Sequence, residues 1–143
     1  MSIVVAPATR YQPGTTVSDD VFGDSAGTIS NTALAQTFIF DASSSHVYGD
    51  ALNINGTGRG GADTLTVFGL AGDPTVIVGD AGQLLASAKG GKDLITALGN
   101  SATYGDALDM TGSSLGGNDH ITVSSSSTVF SPVYSEDSGS GLL

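Results

Sequence analysis

Short apolar stretches return along this chain in a fixed rhythm. Leu65-Thr66-Val67, Ile95-Thr96-Ala97 and Ile121-Thr122-Val123 each alternate apolar, Thr, apolar. That alternation predicts strands buried on one face. Phe38-Ile39-Phe40 occupies the place of an earlier strand of the same kind. A second set reads Val47-Tyr48, Ile77-Val78 and Thr103-Tyr104, and a third Leu52/Ile54, Leu84 and Leu108/Met110. Turn residues separate the sets, with Gly supplying the backbone freedom that such turns need.

The turns repeat as strictly as the strands. Gly49-Asp50-Ala51, Gly79-Asp80-Ala81 and Gly105-Asp106-Ala107 form one motif. Gly60-Gly61-Ala62-Asp63, Gly90-Gly91-Lys92-Asp93 and Gly116-Gly117-Asn118-Asp119 form another, always 11 residues after the first. The Asp-to-Asp offset is 13 each time, and Asp93 to Asp106 is again 13, so the unit is 26 residues in two halves. One link, Asp63 to Asp80, is 17 residues long, which places a four-residue insertion near 69–74. An upstream copy keeps Gly23-Asp24-Ser25 but loses its second turn; the glycine pair is expected at Leu34-Ala35 and the Asp at Thr37.

One such unit cannot cover its own apolar face, whereas stacked units bury one another. The sequence therefore predicts an all-β, right-handed parallel β-solenoid (a β-roll) of about four 26-residue coils within a single repeat domain. Residues 21–123 carry the repeats. Residues 1–20 are expected to form an N-terminal arm or cap, and 124–143 a C-terminal strand and tail. An open coil end is a bare sheet edge, so the arms are expected to cap it or to dock on a neighbouring copy.

Composition narrows the field. The chain has 143 residues, 14 acidic against 4 basic, for a formal charge of −10; all but one of the acids are Asp. Gly, Ser, Thr and Asp are poor helix formers. Four cations cannot build the basic face that a nucleic-acid binder needs. The absence of Cys excludes disulfides, zinc–thiolate sites and thiol catalysis. No run approaches a membrane span, and the first residues lack the basic and apolar regions of a signal peptide.

Stacking has an electrostatic consequence. Equivalent residues in successive coils lie about 4.8 Å apart. Asp63, Asp93 and Asp119 then share one column, and Asp24, Asp50, Asp80 and Asp106 another. Carboxylates at that spacing repel by about 1 kcal/mol per pair even in water. A cation between coils relieves this. Ca²⁺ suits it best, because it accepts six to eight oxygens in flexible geometry. The expected ligands are Asp63, Asp93 and Asp119 with the carbonyls of Gly60, Gly61, Gly90, Gly91, Gly116 and Gly117, followed by Asp50, Asp80 and Asp106 with Gly49, Gly79 and Gly105. The Asp24 turn, with no partner Asp, is expected to be weaker or empty.

The segment Gly58-Arg59-Gly60-Gly61-Ala62-Asp63-Thr64-Leu65-Thr66 resembles the nonapeptide of repeats-in-toxin (RTX), hemolysin-type calcium-binding proteins, G-G-x-G-x-D-x-U-x with U apolar. Gly58, Gly61, Asp63 and Leu65 match, while Arg59 replaces the second Gly. Gly91, Asp93 and Ile95, then Gly117, Asp119 and Ile121, match the fourth, sixth and eighth places of the later copies. The resemblance covers about residues 45–123. It implies a parallel β-roll, calcium-triggered folding outside the cell, and type I export through an uncleaved C-terminal signal, for which the tail at 134–143 is a candidate.

These features together lead us to expect a secreted, calcium-binding structural protein. It is expected to assemble with itself, head to tail, into an extracellular filament, matrix or surface layer. The alternative is a monomeric calcium-dependent module for folding, secretion or adhesion. A surface- or ice-binding face would rest on the column Thr66, Thr96 and Thr122, beside Asn53, Gln83 and Asp109. An enzyme is not expected. His46 and His120 are the only near-neutral acid–base candidates, and a repeated Asp is unlike a unique active site.

Overall fold

A computed structural model of the chain describes residues 2–4, 16–17, 20–42, 45–70, 73–124 and 127–130. The tail at 134–143 and most of the N-terminal arm lie outside these residues.

In chain order the strands are β1 (Ser2–Val4), β2 (Thr16–Val17), β3 (Asp20–Phe22), β4 (Ser25–Ile29), β5 (Thr37–Ala42), β6 (His46–Tyr48), β7 (Ala51–Ile54), β8 (Thr64–Gly69), β9 (Thr75–Val78), β10 (Ala81–Leu84), β11 (Leu94–Gly99), β12 (Ser101–Tyr104), β13 (Ala107–Met110), β14 (His120–Val123) and β15 (Ser127–Phe130). Every pairing between them is parallel. The strands form three sheets, ordered β1-β3-β6-β9-β12-β15, β13-β10-β7-β4 and β14-β11-β8-β5-β2. The chain visits the sheets in turn, so the fold is a β-solenoid. Four coils carry a strand in all three sheets: β3-β4-β5, β6-β7-β8, β9-β10-β11 and β12-β13-β14. A 26-residue coil is long enough for three short strands with a turn at each corner.

The register follows the motifs. Ala51, Ala81 and Ala107 align, as do Leu65, Ile95 and Ile121. The long link falls between β8 and β9, where five residues stand in place of the single Asn100 between β11 and β12. β1 and β15 both extend the first sheet within their own chain, pairing with β3 and β12.

The upstream copy departs from the sequence expectation by one residue. Partner offsets fall from 26 (Ser25 to Ala51) to 25 (Thr28 to Asn53), then rise to 27 (Thr32 to Arg59). An extra residue bulges β4 between Ser25 and Thr28, and the following turn is shortened. Thr37 therefore pairs with Thr64, and the place of the Asp falls on Gln36 rather than Thr37. The places of the glycine pair fall on Ala33 and Leu34, not on Leu34 and Ala35.

The interior is divided. One apolar cluster joins Val21, Val47 and Ile77 to Phe38, Leu65, Val67, Ile95 and Ala97 across the first and third sheets. A second gathers Ile54, Leu84, Ala88 and Met110 under the middle sheet. The Gly-Asp turn leads into each middle strand and the Gly-Gly-x-Asp turn into each strand of the third sheet, and amides of the second turn reach the carboxylates of the first across the coil. Each coil is thus pinched into two lobes.

Candidate metal centre

The residues at the pinch are carboxylates, and they point inward. Asp50, Asp80 and Asp106 have no solvent exposure, and Asp63, Asp93 and Asp119 have 5% or less. Backbone bonds hold both columns in line. The amide of Asp50 donates to the carbonyl of Asp80 at 2.8 Å, and that of Asp80 to Asp106 at 3.0 Å.

The two columns are wired differently. In the first, each carboxylate accepts from its own coil. Asp24 Oδ2 takes the amide of Leu34 at 2.8 Å, Asp50 Oδ2 that of Gly61 at 2.9 Å, and Asp80 Oδ1 that of Gly91 at 2.7 Å. Asp106 Oδ1 accepts from Gly117 in the same way. In the second, each carboxylate reaches back to the preceding coil. Asp63 Oδ1 accepts from Gln36 N at 2.7 Å, Asp93 from Asp63 N at 2.8 Å, and Asp119 from Asp93 N at 3.0 Å. Each coil thus presents a rung of two facing groups: Asp24–Gln36, Asp50–Asp63, Asp80–Asp93 and Asp106–Asp119.

Glycine is needed where the backbone runs against a rung. A Cβ on Gly79 would collide with Asp93 Oδ2 and the carbonyl of Gly105. A Cβ on Gly60 would strike the Asp80 carboxylate. Gly116 lies in register with Gly90, beside the Lys89–Leu115 bridge. The carbonyls of Gly61 and Gly91 already accept from the amides of Lys92 and Asn118, at 3.3 Å each. A carbonyl oxygen has a second lone pair to offer.

The electrostatics follow from burial. Desolvation pushes the pKa of Asp50 up to about 7. Asp63 rises to about 10, through burial first and then the charges of Asp50 and Asp93. Burial likewise holds Asp80 and Asp93 well above the usual carboxylate range, helped by Asp93 and Asp119 respectively. Asp50 Oδ1, Asp63 Oδ2, Asp80 Oδ2 and Asp93 Oδ2 are buried with no donor aimed at them among the described residues. A ladder like this holds either protons or a cation, since bare carboxylates in a dry interior are too costly.

Those donor-less oxygens fit a hard cation such as Ca²⁺. Among the described residues, no three His, Asp or Glu side chains are grouped to hold a metal ion. A cation here would draw on rung carboxylates together with backbone carbonyls.

Sequence reasoning found all six buried Asp and their columns. It missed Gln36, whose place is visible only once the β4 bulge and the shortened turn after it set the register. It also gave no indication that the carboxylates face inward. The other candidates sit elsewhere. His120 is exposed on β14. His46 Nδ1 lies 3.2 Å from Asp20 Oδ1. Thr66, Thr96 and Thr122 align on the third sheet, with Ile39 in the fourth place. Asn53, Gln83 and Asp109 align on the middle sheet.

Comparison of the chain with protein-family models, with curated proteins and with solved structures gives no match. No helix among the described residues is long and apolar enough to cross a membrane.

Proposed function

We propose that this chain is a calcium-binding structural solenoid of the RTX-like kind. In this reading it is exported, folds on meeting Ca²⁺, and joins end to end with further copies in an extracellular filament or layer. One observation carries the calcium reading: paired, buried carboxylates, of which Asp50 Oδ1, Asp63 Oδ2, Asp80 Oδ2 and Asp93 Oδ2 have no donor among the described residues. Ca²⁺ bound there supplies the positive charge that the interior lacks. The chain's own part is to aim Asp50, Asp63, Asp80, Asp93, Asp106 and Asp119 inward and to fix them with backbone amides. The assembly reading rests on the sheet ends. Among the described residues, β4 and β13 have a neighbour on one side only, and such edges template further strands.

Circular dichroism with size-exclusion light scattering, in EDTA and then in millimolar Ca²⁺ at pH 8, tests both readings. The expected result is β-structure that appears with Ca²⁺ and a mass that grows with it. Folding to a single-chain mass would favour the alternative, a monomeric module. A spectrum and mass indifferent to Ca²⁺ would overturn the metal reading.

A further inference from the structure

The ladder is not uniform. Its first rung pairs Asp24 with Gln36, whereas the next three pair Asp with Asp. Gln36 is 3% exposed, as deep as the carboxylates it aligns with. Neither its Nε2 nor its Oε1 has a hydrogen-bond partner among the described residues. A buried primary amide with both ends unsatisfied is costly.

The placement of that amide is specific. A Cβ on Gly23 would collide with Gln36 Oε1 and the Gly49 carbonyl. One coil on, a Cβ on Gly49 would collide with Asp63 Oδ2 and the Gly79 carbonyl. Gln36 Oε1 therefore stands where the next two rungs have the donor-less oxygens of Asp63 and Asp93. The backbone of Gln36 also joins the second column, through its amide on Asp63 Oδ1. What differs is charge: this rung carries at most one negative charge, on a half-buried Asp24, against two on each of the others.

We propose that Gln36 ends the cation row. The Asp24–Gln36 rung keeps the geometry of the ladder but, singly charged, takes no divalent cation of its own, and the row occupies only the Asp–Asp rungs. Gln36 is then the residue that sets how many cations the chain holds. This inference rests on the calcium reading above.

The test counts bound Ca²⁺ per chain by equilibrium dialysis and atomic emission, for the native chain, Gln36→Glu and Gln36→Leu. Gln36→Glu exchanges the amide nitrogen for an oxygen at constant length. It is expected to bind one more Ca²⁺ than the native chain, and Gln36→Leu the same number as the native chain. At limiting Ca²⁺ and pH 8, Gln36→Glu is expected to melt below the native chain, with the deficit closing at saturating Ca²⁺. If Gln36→Glu is too unstable to count, Gln36→Asp takes its place with the same expectation. Equal counts in the native chain and the acidic variant would overturn the inference while leaving the calcium reading intact. So would loss of one ion in Gln36→Leu, since Oε1 would then be a ligand. A native chain that binds no Ca²⁺ would overturn the calcium reading itself, and the row with it.

Discussion

At Ala86 the backbone adopts φ of 60°, while its neighbours in the stack, Gly56 and Gly112, hold 64° and 72°. An L-residue in that region carries a strain of about 1–2 kcal/mol. Glycine removes it but gives up about 0.5–1 kcal/mol to unfolded-chain entropy. Ala86→Gly is therefore expected to stabilise the fold by about 0.5–1 kcal/mol, seen as a small rise in melting temperature. Asp93 offers the opposite case. Its Oδ1 receives the Asp63 amide in the interior, whereas Asp73 lies exposed in the long link. In Ca²⁺, Asp93→Ala should lower stability by about 1–3 kcal/mol in denaturant melts. Asp73→Ala should stay within about 0.5 kcal/mol. Equal effects would count against the ladder.

At the scale of the element, the stacked carboxylates make the metal-free fold sensitive to pH in an unusual sense. A carboxyl whose folded pKa is raised is ionised in the unfolded chain while still protonated in the folded one. Stability is then full below the unfolded value, near 4, and falls as pH rises towards the folded value. For Asp50 that window runs up to about 7, and for Asp63 it continues to about 10. In EDTA the melting temperature is expected to fall steadily as pH rises from 4, until the β-structure is lost by pH 8, and Ca²⁺ should restore it there. A metal-free protein most stable at pH 8 would contradict this.

Much of this element-level architecture is legible in the sequence. The strands announce themselves in Leu65-Thr66-Val67 and its repeats, because stacking identical coils forces identical residues into register. The four extra residues before Thr75 show up as a broken interval. What stays hidden is local. The Ser25-Ala26-Gly27-Thr28 bulge adds a residue and the turn after Ile29 drops two, neither leaving a mark on the apolar pattern, so counting in steps of 26 overshoots Gln36 by one. The inward direction of the Asp side chains is equally silent, because turn residues do not obey strand alternation. Residues 50–63 had to be seen closing on themselves before the two lobes and the rungs between them became evident.

For the molecule as a whole, coils that contact only their neighbours behave as exchangeable units. Deleting residues 80–105 removes one 26-residue coil and joins Gly79 to Asp106, which restores a Gly-Asp-Ala turn. That chain is expected to fold in Ca²⁺, with a lower melting temperature and one rung fewer. Deleting 80–104 leaves one residue too many at the Gly-Asp turn, where in the native chain Gly79 runs tight against the Asp93 carboxylate and the next coil. This shorter deletion is therefore expected to melt below the 26-residue deletion. Similar behaviour of the two chains would argue against the stacked register.

The backward reach of the second column gives the molecule a direction in time. Gln36 N is capped by Asp63, Asp63 N by Asp93, and Asp93 N by Asp119, always by the coil that comes later in sequence. A coil that has emerged from a ribosome or an export pore cannot finish its own interior; the next one must arrive first. A chain emerging from its N-terminus keeps its newest amide waiting, and one emerging from its C-terminus keeps its newest carboxylate waiting. Either way, closure lags emergence by one coil, and the unfinished coil is the part that a passing protease or chaperone would meet.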